Sequence, residues 1–247
     1  MPRSKRRERM SPAGLPFPTR ERNAVNLHFQ FDWHAAIQSI PYLLTGVPWT
    51  LIISFGGLAI GFAIGITFGL LSINPLRAFR WPATTYIEIF RGTPVLVQVL
   101  FIFYGLPQVL GSPIPALTAG IAAIALNSGA YISEIVRGAV ISIDRGQREA
   151  GLSLGLSRSQ TFWYVIWPQS LRRMIPPLGN QAIVSIKDTS LFSVIGVGEL
   201  VRQGQVYIAT TFTALEVYMM VAIIYLIITL SLSFALRWLE RSGLVGQ

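Results

Sequence analysis

The sequence predicts an all-α integral membrane protein with five transmembrane helices, and three observations carry that prediction. Of its 247 residues, 52% are hydrophobic and 13% are charged, about half the charged fraction of an ordinary soluble domain. No Asp, Glu, Lys or Arg lies between Asp32 and Arg77, between Arg91 and Glu134, or between Glu216 and Arg237. A helix needs about 20 apolar residues to cross a bilayer, and these runs are long enough. Basic residues flank the runs, as is typical of loops at the cytoplasmic membrane face.

The N-terminal region divides into two parts. Residues 1–31 are polar and basic with no apolar segment directly behind their charges, which predicts a mobile tail rather than a signal peptide or a packed domain. Residues 32–46 place apolar and aromatic side chains on one helical face, with His34, Gln38 and Ser39 elsewhere. This pattern favours a short helix lying in the membrane interface. Residues 47–247 then form the transmembrane domain.

Five spans are predicted at about residues 49–73, 81–106, 116–137, 174–197 and 217–236. In the first span, glycine recurs every four residues at Gly57, Gly61, Gly65 and Gly69. Such a repeat leaves one helical face without side chains, and another helix can approach that face closely. The span ends at the following Asn-Pro pair.

Charged residues inside or beside the spans need partners. Glu88 with Arg91, and Glu134 with Arg137, are each three residues apart, a spacing that predicts two local ion pairs. Adjacent Lys187 and Asp188 interrupt the fourth span and point to different sides of a helix. The prolines at 176–177 just before them are compatible either with a loosened helix or with a simple helix start.

Residues 138–173 form the longest polar stretch after the tail, yet their apolar residues keep a helical period. Short amphipathic helices at the membrane surface are therefore predicted. Five spans place the termini on opposite sides, and the basic loops then assign this stretch and the C-terminus to the cytoplasm. The N-terminus is accordingly expected outside, although the seven basic residues up to Arg22 would by themselves favour the cytoplasm.

Several chemistries are excluded or disfavoured. The chain has no cysteine, and its only histidines are His28 and His34, so thiol nucleophiles are absent and metal ligands are few. The segment at 151–155 matches a nucleophile elbow, but no later histidine can serve as its base. Neither Lys5 nor Lys187 follows a glycine, so the chain lacks a phosphate-binding P-loop and no cofactor is expected in it. The net charge of +9 fits loops at the membrane face rather than nucleic-acid binding.

Residues 149–168 read EAGLSLGLSRSQTFWYVIWP, and this segment resembles the EAA signature of bacterial ABC-importer permeases. The positions that carry the resemblance are Glu149, Ala150, Gly151, Gly155, Val165, Trp167 and Pro168. Gly151 stands in place of the commoner Ala, and Trp167 in place of Leu; neither difference removes a charge.

The resemblance extends from about Phe31 to Arg241, while residues 1–29 have no counterpart in it. Further segments resemble the polar amino-acid permeases, and most closely those of the glutamine type: RGTPVLVQVLFIFYGLP (91–107), NSGAYISEIVRGA (127–139), RRMIPPLGNQAIVSIKDTSLFSVIGVGEL (172–200) and LSFALRWLERS (232–242). The resemblance implies an ATP-driven importer of the bacterial inner membrane for a polar amino acid. It further implies a second permease copy or paralogue, two cytoplasmic ATPase subunits that bind ATP and magnesium, and an external binding protein.

Two groups of candidate site residues follow. The resemblance, together with the turn that a glycine allows and the exposed charges around it, assigns coupling to an ATPase to Glu149, Ala150, Gly151, Gly155, Arg158 and Pro168. A zwitterionic substrate needs donors and acceptors near mid-membrane. The polar residues at suitable depth are Asn127, Ser128, Tyr131, Gln181, Lys187, Asp188, Thr189 and Ser190, and several of them could equally serve only to hold helices together.

Two hypotheses from other functional classes compete with that of an ABC permease. An ion-coupled secondary transporter would favour buried acidic residues and would co-purify with no ATPase. A non-transporting membrane scaffold would show no stabilisation by substrate.

Overall fold

The structure, a computed structural model, describes residues 31–241, with side chains up to residue 238. Within that range every regular element is helical. The predicted tail at 1–31 lies outside the described residues except for Phe31. The first helix, α1 (Trp33–Leu44), begins at Asp32, whose carboxylate accepts hydrogen bonds from the backbone N–H groups of His34 and Ala35. A helix therefore forms in the predicted 32–46 segment, and its placement in the membrane interface stays a prediction.

The centre of the fold is the pair formed by α2 (Val47–Ser72) and α6 (Ala116–Ile141). The four glycines of the predicted stripe are all buried. A Cβ atom built on Gly57, Gly65 or Gly69 would lie 2.5, 2.4 or 2.6 Å from the side chains of Ile124, Ile132 or Val136, and one on Gly61 would lie 3.0 Å from the Ala125 carbonyl oxygen. The prediction that these glycines permit close helix approach is confirmed.

The second predicted span, 81–106, is not a continuous helix. The chain forms α3 (Arg77–Gly92), α4 (Val95–Leu100), a π-helical turn (Phe101–Gly105) and α5 (Leu106–Leu110). Helix α3 and the segment Val95–Leu110 meet at an angle of 102°. The bend has a local cause, because Pro94 disfavours helical geometry at the preceding residue and Thr93 is extended.

The fourth predicted span, 174–197, also differs in its bounds. The structure has α9 (Trp167–Asp188), which begins seven residues earlier than predicted, followed by a 3-10 segment, Thr189–Ile195. Both prolines, Pro176 and Pro177, lie inside α9, so they do not mark its start. Among the described residues, α2, α6 and α11 (Ala214–Arg241) are long and apolar enough to cross a membrane, and the bent α3–α5 region makes a fourth candidate.

The remaining helices are short and lie around the junctions. Helices α7 (Arg145–Ser153) and α8 (Arg158–Thr161) follow α6, and a π-helical turn, Phe162–Ile166, leads into α9. Helix α10 (Leu200–Thr211) precedes α11. The candidate spans differ in burial: 67% of the most apolar window of α6 is buried inside the chain, against 11% for α11. Helix α6 is therefore the central helix, and α11 presents its apolar surface outward.

The close contact of α2 with α6 yields a stability prediction. In the Gly65→Ala variant the new Cβ would overlap Ile132, and we expect a loss of about 1–3 kcal/mol in the free energy of unfolding. The matched control is Gly138→Ala on α6, where a Cβ meets no atom within 4 Å. Titration of both purified variants with sodium dodecyl sulfate in mixed micelles measures the difference. Equal stability of the two variants would contradict the role of the glycine face.

Candidate functional site

The segment between α6 and α9 forms a surface elbow, defined here as residues 144–168. The carboxylate of Asp144 accepts a hydrogen bond of 2.6 Å from the backbone N–H of Gly146, and this bond caps the start of α7. Glu149 and Ala150 are both exposed on α7. The elbow thus presents the first two residues of the signature to the surroundings of the chain.

Gly151 and Gly155 shape the elbow for different reasons. Gly151 is buried, and a Cβ built on it would lie 2.6 Å from the Thr161 Cγ2 atom of α8, so the residue allows close packing. Gly155 has φ = +83° and would meet no atom within 4 Å, so its requirement is conformational. Its N–H donates to the Leu152 carbonyl and the Leu156 N–H donates to the Gly151 carbonyl. This pair of bonds is the Schellman ending of a helix, which reverses the chain after α7.

The second arm of the elbow starts with a capping box. The Ser157 hydroxyl accepts a hydrogen bond from the Gln160 backbone N–H at 3.2 Å, and the Gln160 side-chain oxygen accepts one from the Ser157 N–H at 2.8 Å. Arg158 is exposed at the start of α8, and Pro168 occupies the first turn of α9. At the tip between the arms, Leu154 is 82% exposed. The tip between the two arms is therefore apolar and exposed, with charged residues on both arms.

One contact holds together the chain on the two sides of the elbow, and a second joins the elbow to α9. The Arg173 guanidinium of α9 donates to the backbone carbonyl of Ser142 at 2.6 Å and to its hydroxyl at 2.9 Å. The Gln169 amide donates to the Gln147 side-chain oxygen on α7 at 3.1 Å. These bonds join the ends of α6, α7 and α9, so the elbow is attached to long helices on both sides.

A polar cluster lies at the bend between α3 and α4. The Gln98 amide nitrogen donates to the Phe90 carbonyl at 2.9 Å and to the Thr93 carbonyl at 3.0 Å, which the helix break leaves without helical partners. Asn127 on α6 donates to the Phe90 carbonyl at 3.3 Å and to the Gln98 side-chain oxygen at 3.2 Å. Gln98 was missed by the sequence reasoning, although it is the lone polar side chain in the run VLVQVLF.

The other α6 candidates differ in exposure. The Ser128 hydroxyl donates to the Ile124 carbonyl of its own helix and is buried. Tyr131 is 39% exposed, and the Arg91 guanidinium carbon lies 5.5 Å from its ring centroid. Of the three candidates on α6, only Tyr131 is open on the surface of the isolated chain.

The candidates on α9 and the 3-10 segment form a second group. Lys187 is exposed and Asp188 is half-buried at the end of α9. Thr189 and Ser190 donate to backbone carbonyls of the last helical turn at 2.7 Å, and Gln181 donates to the Ser185 hydroxyl at 3.5 Å. Among the residues that the structure describes, no hydrogen bond joins this group to Asn127, Ser128 or Tyr131.

Charged side chains link α3 to α6. The Arg137 guanidinium donates to both carboxylate oxygens of Glu134, at 2.9 and 2.7 Å, which confirms the predicted local pair. Arg91 lies 3.4 Å from the same carboxylate, and no salt bridge between Arg91 and Glu88 occurs in the described part of the chain. The predicted Glu88–Arg91 pair is therefore wrong, because a carboxylate on the neighbouring helix competes for Arg91.

Glu199 is a further buried acid that sequence reasoning missed. Its carboxylate caps α10 by accepting hydrogen bonds from the backbone N–H groups of Val201 and Arg202, and the Tyr225 hydroxyl donates to it at 3.2 Å. Burial raises the pKa of Glu199 to about 7, against the effect of these three hydrogen bonds. The signal in the sequence was an acid directly before a helix start, which is typical of a cap.

Comparison with known proteins gives consistent relatives. A family model described as a binding-protein-dependent transport system inner membrane component matches residues 61–242. The chain is 56% identical over 213 residues to the glutamine transport system permease protein GlnP of Escherichia coli (strain K12), covering 86% of this chain and 97% of that protein. It is 36% identical over 210 residues to the arginine transport system permease protein ArtQ of Bacillus subtilis (strain 168), covering 85% and 96%.

Solved structures show the same fold. The crystal structure of an amino acid ABC transporter with histidines matches at a TM-score of 0.82 and 38% identity, covering 87% of this chain and 100% of that chain. An inward-facing structure of the MetNI methionine ABC transporter matches at a TM-score of 0.71 and 22% identity, covering 83% and 97%. The shared architecture therefore extends over nearly the whole length of both solved chains.

Proposed function

The chain belongs to the family of inner membrane components of binding-protein-dependent transport systems and is the permease subunit of an ABC importer; on that premise we propose that it carries a polar amino acid, glutamine, into the cell. The observation that supports the substrate is the 56% identity to a glutamine permease over 97% of that protein. The ion-coupled transporter and the scaffold have no such support.

The elbow is the proposed contact with a separate ATPase subunit, which binds ATP and magnesium. Its exposed leucine at 154 offers apolar surface, and exposed Glu149 and Arg158 offer charges of both signs. Such a surface suits a soluble partner, because an apolar contact gives affinity and flanking charges fix the orientation. Gly151, Gly155 and Pro168 set the shape of the elbow, and Ala150 lies on its exposed arm.

The proposed substrate path runs beside the end of α9. Asp188 is half-buried next to Lys187 and accepts no hydrogen bond from the described residues, so its carboxylate is available to a substrate ammonium group. Tyr131 on α6 and Ser190 in the 3-10 segment add hydroxyl groups for the polar side chain of the substrate. Asn127 and Ser128 are proposed as wall residues; in the isolated chain both are turned to backbone carbonyls, as is Thr189.

The proposed topology has five spans, with α3–α5 as the second and α9 with the 3-10 segment as the fourth. The protein lies in the bacterial inner membrane with the N-terminus outside and the C-terminus and elbow in the cytoplasm. A second permease copy or paralogue covers apolar surface such as that of α11, and an external binding protein delivers the substrate.

Coupling is tested by two variants at one position. Gly155→Val and Gly155→Asn both have room, but only asparagine readily adopts a positive φ, so valine alone strains the elbow. We expect ATP-driven uptake in reconstituted vesicles to fall by about tenfold or more in Gly155→Val, an effect of at least 1.4 kcal/mol, and by less than about twofold in Gly155→Asn. Glu149→Arg reverses a contact charge and should reduce ATPase co-purification. Wild-type transport in both Gly155→Val and Glu149→Arg would contradict the docking role.

Substrate identity is tested in vesicles that contain the permease, its ATPase and its binding protein. Labelled glutamine should be taken up with ATP, and Asp188→Asn should impair uptake without changing assembly, because the variant loses the charge that faces the ammonium group. Asn127→Leu should alter the ranking of competing amino acids. Unchanged uptake and unchanged ranking would show that Asp188 and Asn127 serve only in helix packing. Uptake of another amino acid but not of glutamine would reject glutamine as the substrate.

Topology can be tested directly because the wild-type chain has no cysteine. Single cysteines at Ser4, Ser112, Ser157 and Ser242 should react with an impermeant thiol reagent from outside only at the first two positions. Labelling of Ser157→Cys from outside would overturn the proposed orientation. Permeabilised cells, in which all four positions should react, are the control for accessibility.

A further inference from the structure

A basic cavity of about 790 Å³ lies where the end of α2, the start of α3, the end of α6 and the elbow meet. Four arginines line it, one from each of α3, α6, α7 and α8: Arg80, Arg137, Arg148 and Arg158. No acidic residue is among its described lining residues. Arg137 is neutralised by Glu134, whereas the other three form no salt bridge within the described part of the chain. The cavity therefore carries the positive charge of three arginines for which the described residues supply no salt-bridge partner.

The rest of the lining is largely apolar. It includes Ile73 from the end of α2, Val140 and Ile141 from α6, and Phe162 after α8. Thr161 also lines the cavity, and its buried hydroxyl oxygen has no hydrogen-bond partner among the described residues. A buried polar atom without a partner is rare in folded proteins. Cationic, apolar and unpaired polar groups together indicate an amphipathic anionic ligand.

The position of the cavity along the chain sets its depth. Helices α2 and α6 are both long enough to cross a membrane, and both end at the cavity, at Ser72 and Ile141. Two exposed aromatic residues lie close to lining residues along the chain: Trp81 follows Arg80 and is 74% exposed, and Tyr164 lies two residues after Phe162 and is 73% exposed. Tryptophan and tyrosine are enriched at the membrane–water boundary. The cavity therefore opens at the level of the lipid headgroups.

We propose that this cavity binds the phosphate group of an anionic phospholipid such as phosphatidylglycerol. The planar guanidinium groups donate paired hydrogen bonds to phosphate oxygens, and the apolar lining contacts the start of the acyl chains. A free phosphate ion would leave the apolar half of the lining without a partner, so the lipid is the source that fits the whole cavity.

Binding there has a structural consequence. Arg148 lies on the first arm of the elbow and Arg80 lies on α3, whereas Arg158 belongs also to the proposed ATPase contact. One phosphate held by Arg80 and Arg148 links the elbow to the membrane-spanning helices through a ligand that belongs to the bilayer. The bound lipid thereby stabilises the elbow against displacement from the spans.

The test compares two double variants of the full-length chain in zwitterionic detergent micelles. Arg80→Gln with Arg148→Gln removes two cavity arginines. Arg77→Gln with Arg145→Gln is the matched control, because it removes the same charge from α3 and α7 three residues earlier, where neither residue lines this cavity. Titration with fluorescent phosphatidylglycerol should show binding about tenfold weaker in the cavity variant and within about twofold of wild type in the control. Equal affinity in all three proteins, or an equal loss in both variants, would overturn the proposal.

Two further measurements exclude other occupants of the cavity. Millimolar inorganic phosphate at constant ionic strength should not displace the lipid probe; displacement would assign the cavity to a soluble phosphate instead. The cavity variant and the control variant each carry one substitution on α7 of the elbow, so the partner ATPase should bind both equally. Loss of ATPase binding in the cavity variant alone, with unchanged lipid affinity, would mean that the cavity receives an acidic side chain of the partner. None of these readouts depends on transport or on glutamine, so their outcome is separate from that of the proposed function.

Discussion

The contact between α2 and α6 is the constraint on which the other features depend. Backbones approach each other there because four glycines of α2 leave no side chains between them. Helix α6 is thereby held in place, and it positions Asn127 at the bend of α3–α4 and Glu134 against Arg91. The two helices also end together, and their ends form one wall of the basic cavity. A shift of this pair would disturb the bend, the ion pair and the cavity at once.

Helix α9 links the two regions proposed to carry function. Its first turn contains Pro168 and, through Gln169, contacts the elbow, while its last residues are Lys187 and Asp188. Its 22 residues correspond to about 33 Å at 1.5 Å per residue, close to the thickness of the hydrocarbon core. The buried hydroxyls and glycine along α9 keep it packed despite its internal prolines. A displacement at the elbow can therefore reach Lys187 and Asp188 as movement of one continuous element.

The sequence predicted features that depend on local pattern. The four-residue glycine period was sufficient to predict the helix contact. The apolar period within the polar stretch 138–173, together with the signature at 149–168, was sufficient to predict short helices there. The bend at Thr93 was missed although Pro94 was visible, because a proline alone does not tell whether neighbouring side chains can satisfy the freed carbonyls. Arg91 was assigned to the nearer acid, Glu88, because its true partner lies 43 residues away on another helix. The start of α9 was predicted seven residues too late because arginines and prolines, which favour a loop in the sequence pattern, lie inside the helix.

The burial of α6 has a consequence for how the protein is made. It is the least apolar of the three continuous candidate spans and carries amide, hydroxyl and charged groups, yet it is the most deeply enclosed. If α6 entered the lipid alone, these groups would lack hydrogen-bond and ion-pair partners, and the free energy of insertion would be unfavourable. Because synthesis proceeds from the N-terminus, the smooth face of α2 and the polar groups of α3 have left the ribosome before α6 emerges. The order of helices along the chain is thus itself an aid to membrane insertion, and a permuted gene that places α6 first would lose it.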